Sequence, residues 1–436
     1  MNAMTPTPTP TSLDRPFQPH RDARSKKAKE LIRGIIREFG EVERNQNLRK
    51  RTRKAADQSI FEETVTAIIS DVVHRYLEEP TGSVSVCLSN RTLGRKSRYR
   101  AAALGKKLPA IIRTLCAPQM GYLHLTKGTR KEVWNNDMVL SYAGRQSTIQ
   151  VSPKFIDQII TSNFQVEDFA LSNTGELIIL KEAKTHPKHS GKKLEYTDTE
   201  DTNQNREQLR SINNYLSTAD IQFEQYSSET PINTNSCRLI RTFNNSCFNQ
   251  GGRLSGGFWM HLRQSRRRED LFINDDPVAE LDYGQMALRS LYGMAGISPP
   301  EGDLYSIPGF IEYRKGVKTI INSALFAETL QNRMPQGVRE HIPNRINYTD
   351  VLNAISEYHK PIKDYFFKGI GMELMFIESD IMISLLLKLQ ELSIVALPIH
   401  DSVLVPESTK QTVKRVMEEI FLHKTGTTAI VNIENS

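Results

Sequence analysis

Two aspartates, a histidine and a pair of cations stand in contexts that can do chemistry. Asp282 closes the apolar stretch PVAELDY, just ahead of GQMALRSLYGMAG, and Asp401 lies in LPIHDSVLVP between His400 and Ser402. Arg314 and Lys318 begin the segment RKGVKTIINSALFAETL, with Asn322 four residues further on. Two carboxylates carried to one place by different strand ends can hold two divalent cations about 3.5–4 Å apart, one for the attacking and one for the leaving oxygen of a phosphoryl transfer. Magnesium suits such a site, because it takes few carboxylates and completes its shell with substrate phosphate; manganese accepts the same oxygen ligands. Arg314 and Lys318 would then clamp a polyphosphate tail. Each feature also has an ordinary account. Asp282 is a suitable helix cap, Asp401 a turn residue, and a surface helix tolerates two stacked cations.

The elements that must position these groups follow from periodicity. Pro277 to Tyr283 reads as a strand on which Val278, Glu280 and Asp282 share one face, and Gln285 to Ala295 as the next helix. Leu397 to Pro406 reads as a hairpin with His400 and Asp401 at its tip. On the Arg314–Leu330 helix, residues 314 and 318 share a face. Upstream, a helix started by Thr199 or Thr202 would carry Leu209, Ile212 and Leu216 on one side, and Arg238 to Asn245 alternates like a strand.

The chain of 436 residues carries a net charge of +7, and residues 1–60, with 14 basic and 7 acidic residues, hold an excess of the same size. The Pro/Thr repeat at the start reads as unpacked, and Leu48 to Lys54 (LRKRTRK) as a basic patch, within a basic disordered arm over 1–56. From Pro80 to Lys131 there is no acid, while eleven cations include Arg95, Lys96, Arg98, Arg100, Lys106, Lys107 and Arg113. Such crowding points to a phosphate-bearing partner, with these seven as DNA-binding candidates. Two helices, over 60–78 and 105–117, then strands at 121–128 and 147–152, follow the order of a winged helix-turn-helix; an ordinary basic α/β subdomain is the other reading. No apolar run reaches the roughly 20 residues of a membrane helix, no signal peptide is visible, and four scattered cysteines make no disulfide framework. A cytoplasmic protein is the expectation.

Four motifs in order then resemble the palm and fingers of family A DNA polymerases, whose pattern runs TGRLSS, DYSQIELR, RxxxK, VHDE. This chain has GGRLSG at Gly251 to Gly256, DYGQMALR at Asp282 to Arg289, RKGVK at Arg314 to Lys318, and IHDS at Ile399 to Ser402. The likeness covers about 185 residues. It implies an α+β right-hand palm with an antiparallel sheet and helical fingers over 251–436, preceded by the basic domain over 57–165 and a connector or thumb-like region over 166–250. It implies that Asp282 and Asp401, with the backbone of Tyr283, hold two Mg²⁺ ions (or Mn²⁺). It places Arg314 and Lys318 on the incoming dNTP, with Lys318 protonating the departing pyrophosphate. Gln285, Ala287, Asn322 and Phe326 fall at nucleotide positions, and Arg253, Arg289 and His400 near the primer and template.

The departures have consequences. Ala287 stands where the family has a Glu that excludes the ribose 2′-hydroxyl, so ribonucleotides should be tolerated. Asn322 replaces an aromatic, Phe326 a Tyr, and Ala327 a Gly. Ser402 ends the last motif as in the HDS of single-subunit phage-type RNA polymerases, and the 119-residue interval between the aspartates implies reduced fingers. Nothing resembles a proofreading exonuclease. The leading expectation is a compact template-directed DNA polymerase. A primase-like or single-subunit RNA polymerase, and a non-catalytic DNA-binding replication factor with a decayed palm, are the alternatives.

Overall fold

The computed structural model describes residues 14–135, 138–184, 191–226 and 232–434, with side chains described except at 130–144. The chain forms two compact units, one of Met1–Glu176 with Gln225–Ser236 and the other of Leu177–Glu224 with Cys237–Ser436. Of the region 166–250, read from sequence as a connector or thumb-like region, residues 177–224 and 237–250 are part of the second unit. Both units mix helices with mainly antiparallel sheets. Among the described residues no helix is long and apolar enough to cross a membrane.

In the first unit, helix α1 (Lys26–Asn45) corrects the expectation of a disordered arm. Ser25 caps it, accepting the Ala28 N–H at 3.2 Å, and it buries Ala28, Ile32, Ile35 and Phe39. That 4-3-4 spacing is an apolar stripe hidden among cations, so burial outweighs the charge that suggested disorder. The Pro/Thr repeat lies outside the described residues. Helix α2 (Ala55–Glu78) buries Phe61, Val65, Ile68, Ile69 and Val72, and Phe61 meets Phe39 edge-on at 5.0 Å. The next long helix is Leu108–Cys116, with Pro109 in its first turn. Strands Leu123–Thr126 and Ser147–Val151 pair antiparallel, as their alternation suggested, but within a four-stranded sheet. Ser83–Val86 joins Ser147–Val151 on its other side, and Asp14–Pro16 joins Ser83–Val86 in parallel. The polar stretch between the two expected strands is itself a hairpin, Thr129–Asn135 with Met138–Arg145.

The second unit is built on an antiparallel sheet centred on strand Asp276–Gly284. Ser402–Pro406 lies on one side of it and Ile430–Glu434 on the other, while Leu397–Ile399 extends the sheet beyond Ser402–Pro406. Short strands Leu271–Ile273 and Ile221–Phe223 continue it from the beginning of the central strand. A second sheet sets Ile240–Phe243 between Ile178–Leu180 and Gly251–Ser255. Helix Glu200–Thr218 begins at Thr199, whose hydroxyl and the Thr202 hydroxyl each accept the other's N–H, and it buries Leu209, Ile212 and Leu216. The helix Gly371–Glu391 contributes Leu374 to one core and packs Phe376 on Phe243 of the second sheet. The central strand, its neighbour Ile430–Glu434, strand Gly251–Ser255 and the helix Gly371–Glu391 all contribute to one cleft.

Candidate active site

The cleft has a volume of about 670 Å³ and lies wholly within the second unit. Its floor is the end of the central strand. There Asp282 is directly opposite Ser402, the residue after Asp401, and the Tyr283 N–H donates to the Asp401 carbonyl at 3.1 Å. His400 and Asp401 form a two-residue turn, with His400 at φ 55°. Both carboxylates line the cleft. They feel one another: burial first, then the Asp401 charge, push the Asp282 carboxyl up to about 6, against the pull of Lys318 and a hydrogen bond from Asn432. Tyr283 turns its ring inward and donates to the Met417 carbonyl at 2.9 Å, so only its backbone is available to the cleft.

The helix Arg314–Phe326 supplies the opposite wall, with Arg314, Lys318, Asn322 and Phe326 all lining it. Phe326 lies against Gly371, where a Cβ would come within 2.5 Å of the ring. The sequence showed the two cations without a counter-charge; the fold provides one. Asp303 accepts from Arg314 Nε and Nη2, and also from the Ser306 hydroxyl (2.9 Å) and the Tyr305 N–H (3.1 Å). The Tyr305 ring lies between the cations, 5.5 Å from Arg314 Cζ and 5.6 Å from Lys318 Nζ. Asp303 and Tyr305 were missed, although an Asp accepting from residues two and three positions on is a local turn pattern present in DLYS.

The third wall combines Arg253 with Glu378. The guanidinium donates through Nε and Nη2 to the two carboxylate oxygens at 2.8 and 2.9 Å. Burial is the largest influence on Glu378 and raises its pKa, partly offset by Arg253. Glycines place this strand: Gly252, at φ 79°, would bring a Cβ within 2.7 Å of Ser379 Oγ, so no larger residue fits beside the helix. Nothing in the run MELMFIES marked Glu378, because its partner is 125 residues away. Ser402 also gains a role. Its hydroxyl donates to Glu280 at 3.1 Å, where a second carboxylate would meet the first.

Gln285 and Ala287 line the cleft, and Gln285 accepts the Leu304 N–H at 3.1 Å. Arg289 and His400 are not among the lining residues. Arg289 is buried and donates to the Thr428 carbonyl at 3.1 Å, while His400 is exposed on the hairpin tip. Of the cations in the first unit, Arg95, Lys96, Lys106 and Arg113 are exposed. Lys107 pairs with Asp57 at 2.6 Å, and Arg98 with Glu176 at 3.2 Å. Arg100 is committed to the Leu104, Thr92 and Arg95 carbonyls.

Behind the Asp303–Ser306 turn, His359 is fully buried. Its Nε2 is 2.9 Å from the Leu304 carbonyl, which can only accept, so Nε2 carries the proton and Tyr292 donates to Nδ1 at 3.0 Å. Burial pushes the imidazole down to about 4. The unfolded chain therefore binds a proton between about pH 6.5 and 4 that the folded chain does not, and stability falls as pH drops through that window. Wild type should lose roughly 2 kcal/mol from this group between pH 7 and pH 5. Urea titrations of His359→Gln at both pH values should show that part of the pH dependence gone; an unchanged difference would refute the assignment.

Among the described residues no three His, Cys, Asp or Glu side chains converge as a metal site. The pair Asp282 and Asp401 nevertheless fits a divalent cation that borrows substrate oxygens. It is hard, anionic and mutually repulsive, whereas the neighbouring Glu378 is neutralised by Arg253. No family model matches the chain, and no curated protein does. Among solved structures, the POL domain of Pol1 from M. smegmatis, in complex with DNA primer-template and dNTP, is similar over 53% of this chain and 51% of that one. The identity is 12% and the TM-score 0.31, and the match spans about half the length of that structure.

Proposed function

We propose that this chain is a template-directed nucleotidyltransferase that extends a primer 3′-hydroxyl with nucleoside triphosphates, DNA being its product. The observation that carries the reading is the convergence of Asp282 and Asp401, from paired strands, on a cleft whose other wall presents Arg314 and Lys318.

Asp282, Asp401 and the main chain of Tyr283 would hold Mg²⁺, which when bound supplies Lewis acidity to the attacking hydroxyl and to the phosphates. In the reaction the primer 3′-hydroxyl releases its proton to solvent water, a bond forms between its oxygen and the α-phosphorus, the bond from the α-phosphorus to the bridging oxygen breaks, and pyrophosphate leaves. Lys318 donates its proton to that leaving group. Arg314 exchanges Asp303 for the triphosphate, and the Tyr305 ring keeps both cations aimed inward. Arg253, held by Glu378, faces the primer end, and the exposed cations of the first unit hold nucleic-acid backbone.

Ala287 favours a second reading, RNA synthesis, because a small residue lines the cleft where the resemblance expects a carboxylate that rejects the 2′-hydroxyl. Primer extension on a DNA template, with dNTPs and NTPs supplied separately, tests both. Extension should occur with each, and Ala287→Glu should cut NTP use by about 10-fold or more relative to dNTP use. Extension with NTPs alone would establish the second reading. No extension with either nucleotide, in Mg²⁺ or Mn²⁺, would refute both.

A further inference from the structure

We propose that the first unit carries a second nucleic-acid site, independent of the cleft: a basic hollow that grips phosphodiester backbone without reading bases. The hollow, about 450 Å³, lies between the C-terminal half of α1 and the segment leading into α2. Arg37, Arg44, Arg49, Lys50 and Arg51 line it, all exposed, and among the described residues none has an ion-pair partner. The one acid in the lining, Glu43, is already taken. Arg53 donates to both its oxygens, at 2.6 and 2.5 Å, while its own guanidinium lies 3.7 Å from the centre of the Phe61 ring.

That arrangement separates scaffold from ligand site. Arg53, Glu43 and Phe61 tie the end of the segment to both helices, and Arg49 curls it further by donating to the Arg51 carbonyl at 2.7 Å. Five cations are then left around a concavity whose own acid is taken; Arg49 also feels the Asp57 carboxylate, which already pairs with Lys107. Arg44 has a further role as a cation in the last turn of α1, and Arg49 in its bond to the Arg51 carbonyl; among the described residues Arg37, Lys50 and Arg51 have none. Mutual repulsion of this kind is relieved by a string of closely spaced anions.

The ligand is backbone rather than base because no aromatic face is free. Phe61 is only 2% exposed and is covered by Arg53, so the hollow has no stacking platform. The acid-free stretch reaches the same end of α2, where Lys107 pairs with Asp57, three residues after Lys54. The hollow and the exposed Lys106 therefore belong to adjoining basic surface on one unit.

The test is fluorescence anisotropy of the full chain with a 20-bp DNA duplex of arbitrary sequence, across a salt series. The triple substitution Arg49→Ala/Lys50→Ala/Arg51→Ala should weaken binding about 10-fold or more at 0.1 M salt, and should flatten the slope of log K against log salt by roughly two to three. Its thermal midpoint should stay close to wild type, since all three side chains are exposed and the one bond lost, Arg49 to the Arg51 carbonyl, is local to the segment. A second duplex of unrelated sequence should bind within about twofold. The control triple Lys26→Ala/Lys29→Ala/Arg33→Ala removes equal charge from exposed positions of α1 outside the lining, and should lose much less affinity. Equal losses in the two triples, an unchanged slope, a strong sequence preference, or full displacement by inorganic tripolyphosphate at matched phosphate concentration would each overturn the proposal. Failure here would leave primer extension untouched, and loss of extension in Asp401→Asn would leave this duplex binding untouched.

Discussion

Asp282→Asn and Asp401→Asn should each lower Mg²⁺-dependent primer extension by about 10³-fold or more, roughly 4 kcal/mol of transition-state stabilisation. Asparagine keeps the shape of the side chain, its Oδ1 can still accept from Asn432, and the strand pairing with Ser402 and Asn432 is made by backbone, so the fold has no reason to change. What disappears is the charge that two paired strands present to a cation. Primer-template affinity, measured without nucleotide, should stay within about twofold, because the backbone-binding cations lie elsewhere.

Stability gives that substitution a second, opposite readout. Asp282 is held above its ordinary carboxylate range by burial and by Asp401, which means the folded state disfavours its charge. A raised carboxylate pKa makes the folded chain bind protons more readily than the unfolded one, so ionisation lowers stability at neutral pH and stability is regained as pH falls from about 6 toward the ordinary carboxylate range. Asp282→Asn should therefore raise the thermal midpoint at pH 7.5 while abolishing extension, the pattern of a site that sacrifices stability for activity. If Asp282 were only a helix cap, its replacement would leave extension intact and change stability little or downward. Full activity in both variants would remove the basis of the proposed function.

The largest stability effect should come from Arg241, which is 1% exposed. Its Nε donates to the Gly252 carbonyl (3.2 Å) and to Ser379 Oγ (3.0 Å), Nη2 to Ser379 (2.6 Å), and Nη1 to Asn205 Oδ1 (2.5 Å). One guanidinium thus joins two strands of the second sheet to two helices, with Asp380 3.9 Å away as its counter-charge. Burial still pulls it down to about 10, so it remains charged at neutral pH. Arg241→Met strands a buried carbonyl, a hydroxyl and an amide, while Asp380 keeps Lys424 at 2.7 Å. A loss of about 3–5 kcal/mol is expected from the three stranded groups, read as a lower urea midpoint. Arg241→Lys keeps the charge but cannot serve three directions, and should fall between Met and wild type. Gly252 and Ser379 are the chain neighbours of Arg253 and Glu378, so the same substitution should blur the third wall of the cleft. A loss below about 1 kcal/mol for Arg241→Met would show that these bonds are replaceable.

Several parts of this protein were legible because they depend on near neighbours in the chain. Period-two alternation marked the strand that carries Asp282, the apolar flanks of His400 and Asp401 marked a hairpin, and Thr199 or Thr202 marked the start of a helix, which begins at Thr199. The spacing of Arg314 and Lys318 put them on one face of a helix that does form. Helix α1 was misread for a local reason too: its dense positive charge drew attention from the 4-3-4 stripe of Ala28, Ile32, Ile35 and Phe39 that buries it.

What the amino-acid order settled by itself was the inventory: which residue types could do phosphoryl chemistry, and on which local element each would ride. Only the tertiary structure decided their company. It set Asp401 beside Asp282, gave Arg314 a carboxylate from Asp303, joined Arg253 to Glu378, and withdrew Arg289 into the interior. Those outcomes turn on pairings up to more than a hundred residues apart, where strand register and helix packing, rather than any local preference, determine which side chains meet.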